Sequence, residues 1–201
     1  NLELLTVNNT VVGEHKVADL DYVFQDLSRI EVKGAASPGI LGHGFLSNYC
    51  VEFDFNEDKL SLTKTACDTT ATKGLRQANF TLKNNLIMLE TQFKGQTVDA
   101  ILDTAAPTSY VNTTLFEQLD VEVLEKDEAR GLNNQAVPKN KLSAVSYLLG
   151  DYPVTDNEMY VSNMPVFNVL GYKDEPCLLI GLDYFKNNKL IVDYHAKKVY
   201  F

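Results

Sequence analysis

The sequence repeats the stretch ILGHGFLSNYCVEFDFNEDKLSL (Ile40–Leu62) as LIGLDYFKNNKLIVDYHAKKVYF (Leu179–Phe201) without a gap. The constant offset of 139 residues superimposes Gly42 on Gly181 and Asp54 on Asp193. Only four positions are identical, so the inference rests on the shared alternation of apolar and polar residues. Each copy has the pattern of an apolar pair, a Gly, a short helical turn and two strands joined by a turn. The repeat therefore predicts two copies of one structural unit.

Short runs of β-branched and apolar residues, separated by turn formers, occupy much of the chain outside the repeat. They predict strands at Leu86–Phe93, Thr97–Leu102, Ser143–Leu149, Glu158–Val161 and Lys189–Asp193. Helical patterns are confined to short pieces near Thr114–Leu119 and Gly181–Asn187. The chain is therefore predicted to be mainly β. Residues Thr63–Asn79 contain few large apolar side chains and are predicted to form a linker or exposed connection.

Composition excludes several classes of function. A formal net charge of -9 argues against nucleic acid or an anionic membrane as the main partner, because both require a basic surface. No apolar run approaches the ~18 residues that would span a membrane. The three cysteines and three histidines are scattered, so no metal site is predicted, and at most one disulfide can form, with its pairing open. An acidic chain that starts at Asn1 without a signal-like segment looks processed, which favours a periplasmic or secreted location.

The stretch VDAILDTAAPTSYV (Val98–Val111) directs an apolar strand at one carboxylate, Asp103. Burying an unpaired charge is costly, so such a carboxylate is either well hydrogen-bonded or takes part in chemistry. Asp99 lies on the same strand face, but it follows a Gly turn and is predicted to be a solvated residue at the start of the strand. Roles in turns or caps are predicted for three further carboxylates, Asp54, Asp183 and Asp193.

A strand ending at Asp103-Thr104-Ala105-Ala106, preceded by a hairpin around Gly95, is followed by a short helix, a Gly-rich hairpin and Leu179-Ile180-Gly181. This order resembles the retropepsin-like aspartic proteases, specifically the bacterial type with two repeats in one chain. Their motif is Asp-Thr/Ser-Gly-Ala after an apolar strand, answered by an apolar pair and a Gly that pack beneath the turn. The resemblance implies an all-β, retropepsin-like acid protease fold of two similar lobes with short helices, the first of them incomplete in this chain.

Three regions follow from this resemblance. Residues 1–65 would form the C-terminal half of the first lobe, with Ala18–Ile30 carrying late strands, residues 66–79 a linker, and residues 80–201 a complete second lobe. The mobile flap that closes over substrate would lie in the hairpin from Gly131 to Leu142. Its candidate residues are Gly131, Leu132, Asn133 and Asn134.

The resemblance also assigns roles around the turn. Asp103 would be catalytic, and the Thr104 hydroxyl would bond to an opposite turn. Ala105 departs from the Gly that is usual in the family, yet its N–H can still hold the carboxylate. Ala106 fits a small packing position, and Leu179, Ile180 and Gly181 would support the turn from below.

Catalysis in this family requires two such turns, whose aspartates share one proton and activate a water that attacks a peptide carbonyl. The substrate would be a polypeptide, and neither a metal nor another cofactor is needed. The repeat offset places the counterpart of Asp103 about 36 positions before Asn1. The second aspartate could come from a cleaved or omitted N-terminal companion segment or from another chain, as in a homodimer, or the site could have decayed. The alternative is a non-catalytic module that binds peptides or proteins.

Overall fold

The computed structural model describes residues 3–24, 31–32, 35–36, 39–130, 136–186 and 188–201. They form an all-β structure with very short helices, as predicted. The strands are β1 (Glu3–Val12), β2 (His15–Phe24), β3 (Glu31–Val32), β4 (Ala35–Ala36), β5 (Cys50–Asp54), β6 (Lys59–Thr63), β7 (Gln77–Lys83), β8 (Leu86–Phe93), β9 (Gln96–Leu102), β10 (Ser109–Val111), β11 (Val123–Arg130), β12 (Ala136–Leu142), β13 (Val145–Leu149), β14 (Tyr152–Asn157), β15 (Met159–Val161), β16 (Cys177–Ile180), β17 (Lys189–Asp193) and β18 (Lys198–Tyr200). The helices are α1 (His43–Leu46), α2 (Thr69–Thr72), α3 (Thr113–Phe116) and α4 (Pro165–Val169), and Leu182–Tyr184 forms a 3-10 turn.

The predicted strands correspond to observed ones. β8 and β17 have the predicted bounds, and β9, β13 and β15 differ from prediction by one or two residues at their start. The predicted helical pieces appear as α3 and as the 3-10 turn. The segment predicted as a linker holds α2 and the beginning of β7 at Gln77.

The two copies of the repeat meet through their equivalent strands. β5 pairs with β17 in antiparallel register, with Val51 opposite Val192. Each strand also pairs with the second strand of its own copy, which gives the strand order β6-β5-β17-β18-β7. An antiparallel pair of equivalent strands relates the copies by an approximate two-fold axis, which passes between Glu52 and Ile191. We call residues 3–63 the N-terminal unit and residues 77–201 the C-terminal unit.

The turns of the two copies are closed in the same way. Asp54 accepts hydrogen bonds from the backbone N–H groups of Asn56 and Glu57 at 3.2 and 3.1 Å. Asp193 accepts them from His195 and Ala196 at 3.0 and 2.8 Å. The predicted turn-capping role of these two aspartates is thus confirmed, and it explains why both copies keep Asp at this position.

A second part of the repeat, a pair of equivalent hairpins, was not predicted from the sequence. The β1–β2 hairpin and the β13–β14 hairpin have the same register, with Val12 opposite His15 and Leu149 opposite Tyr152. Both turns contain a Gly with φ of +58°, at positions 13 and 150. The sequences VVGEHKVAD and LLGDYPVTD around them align at an offset of 137 residues, two fewer than in the first alignment. Part of Ala18–Ile30 forms the end of β2, and residues 25–30 lie outside the described residues.

One disulfide links the N-terminal unit to the segment that follows it. Cys50 is bonded to Cys67, which decides the pairing that the spacing left open, and Cys177 is a buried free thiol. Burial raises the pKa of the Cys177 thiol to about 12, so the thiol stays protonated at neutral pH. Among the described residues, no helix is long and apolar enough to cross a membrane.

Reduction of the Cys50–Cys67 disulfide should lower the free energy of unfolding by about 3 kcal/mol, because it frees a short loop in the unfolded chain. Urea unfolding with and without a reductant measures this difference. The double variant Cys50→Ala/Cys67→Ala should start at the lower stability and show no response to the reductant. An equal response from that variant would place the effect elsewhere.

Candidate active site

The turn that carries Asp103 crosses over the end of a neighbouring strand. β9 and β10 are consecutive in the chain, but both are hydrogen-bonded to β16, which lies between them. The connection from Asp103 to Thr108 must therefore pass over the point where β16 ends at Ile180. This topology brings the predicted Asp103 turn and the predicted supporting residues Leu179, Ile180 and Gly181 into contact.

Backbone hydrogen bonds fix the turn to the strand beneath it. The Asp103 N–H donates to the Ile180 carbonyl at 3.0 Å, and the Leu182 N–H donates to the Ala106 carbonyl at 2.8 Å. The Ala105 N–H donates to Asp103 Oδ1 at 2.9 Å. The backbone at Ala105 does not have a positive φ, so the alanine is accommodated without conformational strain. The turn therefore holds the Asp103 carboxylate through the backbone N–H of residue 105, as it would if that residue were Gly.

Gly181 is required by the close approach of the turn. A Cβ added at Gly181 would lie 2.5 Å from the Thr108 carbonyl oxygen and 2.8 Å from the Ala106 carbonyl oxygen, well inside van der Waals contact. Leu179 and Ile180 before it are buried, and Leu179 packs with Met88, Ile101 and Tyr110. The apolar pair and the Gly thus form the floor on which the Asp103 turn rests.

A polar pair that the sequence analysis did not connect closes the base of the turn. Ser109 donates its hydroxyl to Asp183 Oδ1 at 2.7 Å and its backbone N–H to Oδ2 at 3.0 Å. The same hydroxyl accepts the Gly181 N–H at 3.0 Å. Asp183 was predicted to be a helix-start residue, and it does lie in the 3-10 turn, but its carboxylate also holds the start of β10. No short-range pattern links residues so far apart in sequence.

Asp103 opens into a cleft of about 220 Å³. Its own turn contributes Asp103, Thr104 and Ala105 to the lining, and the opposite side comes from the N-terminal unit, with Ile40, Leu41, Gly42, His43 and Leu46. Tyr194 also lines the cleft, and burial raises its pKa to about 12, so its hydroxyl stays protonated in acid and neutral solution. The half-buried Asp103 carboxylate is thus open to a bound molecule in a largely apolar cleft.

Other candidate residues lie elsewhere. Asp99 accepts a hydrogen bond from the Tyr172 hydroxyl at 2.5 Å, which gives this exposed strand residue a structural partner away from the cleft. The flap candidates Gly131, Leu132, Asn133 and Asn134 lie outside the described residues. The strands on either side of them, β11 and β12, form an antiparallel hairpin with Arg130 opposite Ala136. Within the described ranges, no group of three or more His, Cys, Asp or Glu residues could hold a metal ion.

The equivalent of Gly181 in the first copy has a different environment. Among the described residues, a Cβ added at Gly42 would meet no heavy atom within 4 Å beyond its neighbours in the chain. Ile40 has 49% of its surface exposed, whereas its counterpart Leu179 has 2% exposed. Among the described residues, the first copy thus has the floor of a turn with no turn resting on it.

The site lies inside the part of the chain that matches a known family. Residues 89–184 match the family model described as "Aspartyl protease". This segment resembles the aspartyl proteases. It includes the Asp103 turn, Ser109 and Gly181, which confirms the resemblance inferred from the sequence motif and supports a protease type of function.

Solved structures of two aspartic proteases are also similar to the chain. One is a retropepsin-like aspartic protease from Rickettsia conorii, with 12% identity, a TM-score of 0.43, and coverage of 64% of this chain and 98% of the other. The second is EIAV protease complexed with the inhibitor HBY-793, with 16% identity, a TM-score of 0.32, and coverage of 48% and 82%. No curated protein matches the chain in sequence.

The two equivalent glycines should respond differently to the same substitution. Gly181→Ala is expected to lower the free energy of unfolding by about 1–3 kcal/mol, because the turn must move away from the added methyl group. Gly42→Ala should change it by less than about 0.5 kcal/mol, because the space is open and the backbone is extended. Urea unfolding of both variants gives the comparison, and equal losses would contradict the described packing of the turn.

Proposed function

We propose that this protein is an aspartic-type endopeptidase in which Asp103 supplies one of two catalytic aspartates. The observation that carries the proposal is the Asp103 turn itself, held by the Ala105 N–H and seated on Gly181 within the segment that matches the aspartyl proteases. In this proposal residues 1–65 are the C-terminal half of the first lobe, and residues 80–201 are the complete second lobe. The second aspartate is supplied by a companion segment or by another chain.

The chemistry follows from the position of the Asp103 carboxylate. A second carboxylate close to it would share one proton with it, because two adjacent negative charges are costly. The ionised partner would take a proton from a bound water as that water attacks the peptide carbonyl. The protonated partner would polarise the carbonyl and then donate a proton to the leaving amine. Thr104 would support the pair by a hydrogen bond to the opposite turn.

The cleft supports this arrangement from both sides. It lies between the Asp103 turn and Ile40-Leu41-Gly42, so a turn that rested on Gly42 would face Asp103 across the cleft. A flap that includes Gly131, Leu132, Asn133 and Asn134 is part of this proposal, and it would cover an extended polypeptide and exclude water. The antiparallel pairing of β11 with β12 on either side of these residues supports it.

Replacing Asp103 with Asn should lower peptidase activity by about 10²- to 10⁴-fold, because the amide cannot exchange the proton. The assay is cleavage of an unfolded protein in mildly acid buffer by protein purified from its native host with any polypeptide that accompanies it. Asp99→Asn is the matched control and should keep activity, because Asp99 contacts Tyr172 outside the cleft. Equal activity of Asp103→Asn and the parent would refute the proposal.

A binding module is the second candidate function. It is favoured by Ala105, which stands where the aspartyl proteases usually have Gly. In this case the protein would hold a peptide by strand addition without cleaving it. A native-source preparation that binds an unfolded polypeptide, leaves it intact, and binds equally well as Asp103→Asn would establish this function in place of the peptidase.

A further inference from the structure

Apolar side chains are exposed mainly in the N-terminal unit. The exposed large hydrophobic residues in the described part of the first 62 positions are Leu4, Leu5, Val11, Val23, Phe24, Ile40 and Leu60. A groove of about 500 Å³ runs between the β1–β2 hairpin and α1, and its apolar lining includes Leu5, Leu20, Phe24, Ile40 and Phe45. Exposed apolar surface of this kind indicates a binding surface.

The free edge of β6 has an occupied counterpart. In the C-terminal unit, β18 pairs on its outer side with β7, with Val199 opposite Ala78. In the N-terminal unit, β6 is the equivalent strand, and it is the last strand of the sheet that the described residues form. The missing neighbour leaves the side chains of β6 more exposed. Val199 is fully buried, whereas its equivalent Leu60 has 47% of its surface exposed.

The turn of the β1–β2 hairpin shows the same difference. A Cβ added at Gly150 would approach the Gln77 carbonyl oxygen at 3.3 Å, because the β13–β14 hairpin packs on β7. A Cβ added at the equivalent Gly13 would have no heavy atom of the described part of the chain within 4 Å, apart from its chain neighbours. β13 also pairs with β8, whereas β1 pairs with β2 alone among the described strands.

All of these uncovered features have counterparts that contact one continuous stretch of the C-terminal unit. Residues 77–109, which run from β7 to the start of β10, cover Gly181, β18, β13 and Gly150. The approximate two-fold axis places an equivalent polypeptide segment, with two or three strands and a tight turn, over Gly42, β6, β1 and Gly13.

We propose that the open face of the N-terminal unit, formed by Gly42, Ile40, Leu60, Phe24 and the edge of β6, binds a polypeptide segment built like residues 77–109. The segment would pair a strand with β6, seat its turn on Gly42 and fill the apolar groove. Pairing of this kind uses backbone groups and therefore tolerates different side chains in the segment. A second folded copy of this chain cannot supply it, because residues 77–109 of that copy are already paired within its own C-terminal unit.

The inference places the segment that the proposed function requires, but it does not depend on catalysis. The closing experiment therefore measures binding rather than cleavage. A peptide with the sequence of residues 75–111 serves as the probe, because it contains the strands, the turn and no cysteine. A second version of the peptide carries Asn in place of Asp103 and should bind equally well. Both versions of the peptide are expected to bind even if the protein has no peptidase activity.

Binding of the labelled peptide to the folded 201-residue chain should be saturable, and hydrogen exchange should show new protection in β6 and in residues 39–46. Gly42→Val should weaken binding at least tenfold, because the valine occupies the seat of the turn. The extended backbone of Gly42, with φ of -102°, accepts valine, so this variant should remain folded. Val169→Ser, which removes an exposed apolar side chain in α4, is the control and should bind like the parent.

Three results would overturn the proposal. The first is an absence of saturable binding to the folded chain. The second is protection in β16 and β18 without protection in β6, which would mean that the peptide exchanges with residues 77–109 of the C-terminal unit. The third is equal affinity of the parent chain and Gly42→Val, which would show that the peptide adheres to apolar surface without seating its turn.

Discussion

The contact between the Asp103 turn and Gly181 is the constraint on which the site depends. The turn joins two strands that flank β16, so it must cross the end of that strand, and the Thr108 and Ala106 carbonyls leave no room for a side chain at position 181. Leu179 and Ile180 anchor the floor in the core, and Ser109 with Asp183 holds the start of β10 to it. The position of the catalytic candidate is thus set by backbone packing, which side-chain flexibility cannot relax.

The same packing constraint applies to the N-terminal unit. Its equivalent floor, Ile40-Leu41-Gly42, lies across the cleft from Asp103, and no described residue packs above the glycine. The two units are joined by the pairing of β5 with β17, reinforced by Lys189, whose ammonium contacts Glu52 and Asp54 at 2.7 Å. Hydrogen bonding to Asp54 and Glu52 raises the pKa of Lys189, so its ammonium stays protonated well above neutral pH.

Much of this arrangement was readable in the sequence. The alternation around Asp54 and Asp193 predicted the hairpins and the capping role, because these depend on local patterns. The family resemblance at Asp103 implied the turn and its glycine floor. The Ser109–Asp183 pair and the Cys50–Cys67 disulfide were not predictable, since they join residues brought together only by topology. The β1–β2 copy of the repeat was missed because its offset differs by two residues from that of the first alignment. The packing around Gly42 needed coordinates, since its sequence matches a filled position.

The central claim is that Asp103 acts with a second carboxylate held on the floor formed by Ile40-Leu41-Gly42. A crystal structure of the natively purified protein with a statine-type inhibitor tests it most directly. The account predicts that the inhibitor hydroxyl lies within hydrogen-bonding distance of Asp103 and of a second aspartate whose turn rests on Gly42. An inhibitor bound away from Asp103, or a Gly42 floor that remains uncovered while the protein cleaves substrate, would contradict it.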